Sequence, residues 1–130
     1  MEKESWRRNW LDAINGLTSF ELHEDLEVKI AYKVSSRSFG DFVNFYFGDL
    51  LFGFNYDFYV DEISWITQKE FEAVKDWHIK LEYALFADGE YSKNNNIPNE
   101  TKWPSILHNG ILAKQKLLSI IPESEKKYLK

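Results

Sequence analysis

His78 and Glu82 stand four residues apart, the spacing that puts two side chains on one face of a helix, within reach of each other or of a metal ion. Two ligands do not complete a metal site, and the other histidines, His23 and His108, are distant in sequence. The pair therefore reads as a histidine beside a carboxylate. Asp41 is a second candidate. In an alternating strand pattern it falls on the inward face, opposite Tyr32 and Tyr56, whose hydroxyls can hydrogen-bond a buried carboxylate. Such a cluster would make a general base with a pKa raised by burial, in a small enzyme or ligand-binding pocket; a purely structural carboxylate is the other reading. The chain has no Cys, which removes disulfides, thiolate zinc sites and cysteine nucleophiles. With no Gly-rich phosphate loop and no serine elbow, no cofactor, metal or catalytic residue is expected.

The residues suited to contact are more numerous. Ten aromatic side chains lie between Phe39 and Tyr59, together with Asp41, Asp49 and Asp57 and without a His or Lys. The formal charge of −5 is concentrated in residues 21–90, where 15 acids face 6 bases, whereas residues 91–130 carry 3 acids and 7 bases. An acidic body repels nucleic acid and attracts cationic partners. The five tryptophans read as core and edge anchors. Tyrosine beside acids suits an interface with a basic protein. The residues expected to bind a partner are Asp57, Tyr59, Asp61 and Glu62, then Glu24, Asp25 and Glu27, with Tyr46 on the same outward face.

These residues need elements to position them, and an α+β fold is expected. Trp6, Trp10, Ile14 and Leu17 recur at helical spacing and predict an N-terminal helix from about Glu4 to Asn15. Leu26, Val28, Ile30, Tyr32 and Val34 alternate with Glu27, Lys29, Ala31 and Lys33, and a second alternation runs from Phe52 to Val60. With a tight turn at Gly48–Asp49, they predict a three-stranded antiparallel meander over about 25–34, 39–47 and 50–61 whose apolar sets share one face. Phe47, Leu51, Phe54 and Phe58 also fit a helix, but aromatic enrichment and three glycines favour strands. Two long C-terminal helices are expected to pack on the sheet. One starts at the capping box Thr67-Gln68-Lys69-Glu70 and ends near Asp88-Gly89; the other starts near Pro104 and stops at Pro122, ahead of a Lys-rich tail expected to be mobile.

At 130 residues the chain is expected to be a single domain, 1–130, long enough to bury about two thirds of its surface. Glu2, Lys3 and Glu4 follow Met1, unlike a signal peptide, and no run approaches the ~18 apolar residues of a membrane helix. A cytoplasmic protein is expected.

A small, acidic, Cys-free chain rich in Trp and Tyr resembles the immunity proteins of bacterial polymorphic toxin systems, including contact-dependent growth inhibition. Local phrases carry the likeness: Trp65-Ile66 ahead of Glu70-Phe71, then Trp77, and Asp88-Gly89-Glu90-Tyr91 leading to Lys102-Trp103-Pro104. A monomer or weak homodimer is expected, and the resemblance implies a cytoplasmic inhibitor. Its partner would be a cognate toxin domain, often a cationic nuclease, with neither nucleic acid nor membrane as a partner, and inhibition would come from occlusion of the toxin's active site. It carries no site residue over to this chain.

Overall fold

The computed structural model describes residues 2–22, 28–30, 39–51, 55–86 and 103–129. Helix α1 (Lys3–Leu17) buries Trp6, Trp10, Leu11, Ala13, Ile14 and Leu17, a wide apolar stripe at helical spacing. Thr18 closes it, its N–H and Oγ1 both donating to the carbonyl of Ile14, at 3.0 and 2.8 Å.

The expected α+β fold with its three-stranded meander is overturned: the protein is helical. Where strands were expected at 39–47 and 50–61, Phe39–Val43 forms a short helix, α2, that runs directly into a π-helical segment, Asn44–Leu50, and Phe58–Glu62 is a second π-helical segment. Among the described residues, extended pairing is limited to an antiparallel ladder of three residues on each side, β1 (Phe20–Leu22) with β2 (Val28–Ile30). Val28 sits opposite Leu22 and Ile30 opposite Phe20, so this piece of the alternating run pairs with residues before it in the chain. The rest of the first expected strand, and Phe52 and Phe54, lie outside the described residues.

The physical reason for the reversal is the spacing of the residues that are buried. Phe39, Phe42, Val43, Tyr46 and Leu50 all face the core, at intervals of three, four, seven and eleven residues from the first. That is one side of a helix. Strand alternation sends Phe42 and Tyr46 outward, whereas packing against α1 draws them in. In so aromatic a stretch both periods find apolar residues, and the larger burial decides. The π-helical turn is held by Leu51 N–H donating to the Tyr46 carbonyl at 3.1 Å, and its wider circuit brings Tyr46, Leu50 and Leu51 to the same buried side. The Leu50 carbonyl at its end accepts from Trp6 Nε1 at 3.0 Å and from the Tyr59 hydroxyl. Gly16 lets α2 approach α1 closely: a Cβ there would stand 2.2 Å from the Phe42 ring.

Helix α3 (Gln68–Phe86) begins at the expected capping box, with Glu70 N–H donating to Thr67 Oγ1 at 3.1 Å and Thr67 N–H to Glu70 Oε1 at 2.9 Å. Helix α4 (Trp103–Leu118) packs along it. Gly110 abuts Trp77 while Ser105 shares a groove with Ala84, so the two helices run antiparallel. The Lys-rich tail is docked: Glu123–Tyr128 forms a 3-10 helix, Leu129 is buried, and Glu125 reaches Arg7 of α1. No helix among the described residues is long and apolar enough to cross a membrane.

Candidate functional site

Polar groups capable of proton chemistry converge in the core. Trp10 Nε1 donates to the Tyr56 hydroxyl at 2.9 Å, the Tyr56 and Tyr46 hydroxyls are 2.5 Å apart, and Tyr46 Oη lies 2.9 Å from His78 Nδ1. The indole can only donate, and one orientation of the chain then uses every hydroxyl proton. Tyr56 accepts from Trp10 and gives its proton to Tyr46, and Tyr46 gives its own to Nδ1. In that orientation Nδ1 accepts, and His78 is neutral with its proton on Nε2. Burial holds its pKa down at about 4, and the Glu82 carboxylate, 3.8 Å from Nε2, is beyond hydrogen-bond length. Burial also raises the pKa of both tyrosines. Phe47 and Phe71 close over His78 and Tyr56, with ring centroids 5.6 and 5.3 Å away. The indole N–H and both hydroxyls are paired within the core, so the chain specifies packing.

A second buried cluster surrounds Arg7. Its guanidinium donates from Nε and Nη2 to Glu125, from Nη1 and Nη2 to Glu70, and from Nη1 to the Trp65 carbonyl, at 2.7–3.2 Å. Burial alone would lower the Arg7 pKa; hydrogen bonds and charge from the two glutamates outweigh it, and the pKa stands raised. Burial would likewise raise Glu70, but Arg7 and the cap at Thr67 hold it below the usual carboxylate range. A cleft of about 420 Å³ opens beside the cluster, between Lys3, Ser64, Thr67 and Pro122. All five N–H groups of Arg7 are engaged, so this cleft has no guanidinium donor to offer an anion.

The outside of the molecule carries the groups available to a partner. Tyr56 and Tyr59 root the segment that ends in Phe58–Glu62 in the core, Tyr59 stacking on Trp6 at 4.4 Å. Asp57, Asp61 and Glu62 point outward from the same short segment and are exposed. Three carboxylates thus stand on a segment anchored by buried aromatic side chains. A separate open groove of about 360 Å³ between α3 and α4 is lined by Ile79, Lys80, Tyr83, Ala84, Ser105 and Ile106.

The sequence-derived site divides accordingly. Asp57, Asp61 and Glu62 are all exposed on one short segment. Tyr46 and Tyr59, expected on the outward face, are buried instead, because their segments are helical and both hydroxyls are used internally. Glu24, Asp25 and Glu27 lie outside the described residues, as does Tyr32. Asp41 is exposed on α2, away from the inward position that a strand would have given it, so among the described residues it does not join buried Tyr56 in the alternative pocket. His78 and Glu82 do share a helical face, but among the described residues no three His, Asp or Glu side chains converge on a metal position. Sequence reasoning missed the Arg7–Glu70–Glu125 cluster. A signal existed: Arg7 precedes Leu11 and Ile14 by four and seven residues, on the buried side of α1. No protein-family model, curated protein or solved structure matches this chain.

Proposed function

We propose that this chain is an immunity protein, a cytoplasmic binding protein that neutralises a cognate cationic toxin domain by covering its active site. The observation that supports this reading best is the Asp57–Asp61–Glu62 surface, three exposed carboxylates on a segment anchored by Tyr56 and Tyr59. Pre-organised acids of this kind accelerate encounter with a basic cleft and disfavour acidic competitors. The proton-bearing groups His78, Tyr46 and Tyr56 are committed to each other in the core, which favours a binding role over a chemical one. Affinity would come from a few desolvated contacts around the acids.

The test is a comparative capture followed by a protection assay. Wild type and an Asp57→Lys/Asp61→Lys variant are used as bait in lysate of the source cell. The proposal expects a basic protein held by wild type and lost by the variant. Its expression should arrest growth unless wild type is co-expressed. Retention of the same partners by both baits, or a captured protein that is harmless when expressed alone, would refute it.

A further inference from the structure

The outer face of α3 has a pattern that fits a second copy of itself. The buried residues Glu70, Val74, Trp77, His78, Leu81 and Leu85 occupy one side of the helix. Directly opposite, at 3.6 residues per turn, Glu72, Asp76, Ile79 and Tyr83 fall in a stripe about 60° wide. All four are exposed, Ile79 by 52% and Tyr83 by 67%. Lys80 borders the stripe on one edge, beside Asp76; Lys75 and Glu82 border it on the other. We infer that this face pairs with the same face of a second chain, α3 against α3, antiparallel across a two-fold axis at the level of residue 78.

Symmetry and the positions of the charges together set the register. An antiparallel two-fold sets each edge of the stripe against the same edge of the other copy. With the axis at residue 78, Asp76 lies two residues to one side and Lys80 two residues to the other, so each Asp76 meets Lys80 of the second copy. On the opposite edge, Lys75 and Glu82 stand three and four residues from the axis, a mismatch of one residue or about 1.5 Å, and pair likewise. Ile79 sits beside the axis and packs on its own symmetry mate. Tyr83 lies over the level of Ala73. Two edges and the centre are thus matched by one operation.

Charge separates this occupant from the toxin of the proposed function. The exposed side of α3 carries Lys69, Lys75 and Lys80 against Glu72, Asp76 and Glu82, a neutral surface on a chain of net charge −5. It offers a uniformly cationic partner no advantage. It suits a surface in which the signs alternate in the same register, as its own does. About three helical turns from each copy make a contact well below the ~800 Å² per partner of a stable complex. The dimer is therefore weak and reversible.

Sedimentation equilibrium of the full chain, up to about 1 mM protein, tests this. The mass average should rise toward the dimer for wild type. Asp76→Lys and Lys80→Asp should each weaken self-association about tenfold or more, because two attractive pairs become repulsive. An equimolar mixture of the two variants should associate again, since lysines at 76 and 80 of one chain then face aspartates at 80 and 76 of the other. Both positions are exposed, and an unchanged far-UV circular dichroism spectrum shows that the fold is kept. A wild type that stays monomeric leaves the face to some other partner and overturns the proposal. So does a dimer indifferent to both substitutions, or a pair of weakened variants that fail to associate when mixed.

Discussion

The Tyr46 hydroxyl hydrogen-bonds Nδ1 of His78 at 2.9 Å, joining the π-helical segment to the middle of α3 inside the core. In the orientation that uses every hydroxyl proton between Trp10 and His78, Nδ1 accepts this bond and the imidazole is neutral. Replacing Tyr46 by Phe removes one hydroxyl yet strands two groups, the Tyr56 proton and the Nδ1 lone pair. A loss of about 1–3 kcal/mol is expected, read as a lower denaturant midpoint at unchanged m-value.

Acid should loosen the fold in a defined window. The folded pKa of His78, about 4, lies below its ordinary value of 6.5, so between these values the unfolded chain binds a proton that the folded chain does not. The contribution is fully present above pH 6.5 and is lost as pH falls from 6.5 toward 4, about 3 kcal/mol in all. Glu70 is depressed, so its share is present above the usual carboxylate value and lost only at lower pH, as pH falls through its folded pKa. Unfolding free energy measured against pH should therefore decline in two stages, and His78→Phe should remove the upper one.

Arg7 is the hub of the second cluster. Arg7→Met leaves Glu70 and Glu125 facing each other without a cation and should destabilise by about 3–5 kcal/mol. Arg7→Lys keeps the charge but offers three donors where five are used, and recovers only part of the loss. Chemical denaturation of the three proteins orders them.

Gly16→Ala would ordinarily strengthen a helix by up to about 1 kcal/mol. Here the added methyl meets the Phe42 ring at 2.2 Å, and a net loss of about 1–3 kcal/mol is expected from overpacking. A raised melting temperature would contradict the close approach of α1 and α2.

What could be read from the sequence follows from which signals compete. α1 stands on a single, unopposed periodicity and the start of α3 on a capping box, and the structure contains both. The stretch from Phe39 to Tyr59 does not. Aromatic and apolar residues are so dense there that period two and the helical period both fit, and glycine content tilted the choice toward strands. Tyr46 and Tyr59, expected to meet a partner, and Phe42, which strand alternation sends outward, are buried, which is what choosing the wrong period does to a face. The π-helical turns have no sequence signature, because they depend on how Tyr46, Leu50 and Leu51 settle against α1. Arg7 escaped notice for a related reason: its partners, Glu70 and Glu125, are 63 and 118 residues away. The exposed acids at 57, 61 and 62 survived the change of fold, since a helical turn also carries them outward.

The double variant Asp57→Lys/Asp61→Lys should leave stability within about 0.5 kcal/mol of wild type, as both side chains are exposed. That makes it the sharpest probe of the proposed surface. The decisive measurement is the affinity of wild type and this variant for the captured toxin domain, at low and at high salt. Wild type should bind tightly and lose affinity as salt rises, while the variant binds at least about tenfold more weakly with little salt dependence. Equal affinities for the two proteins, unchanged between low and high salt, would contradict an acidic occluding surface.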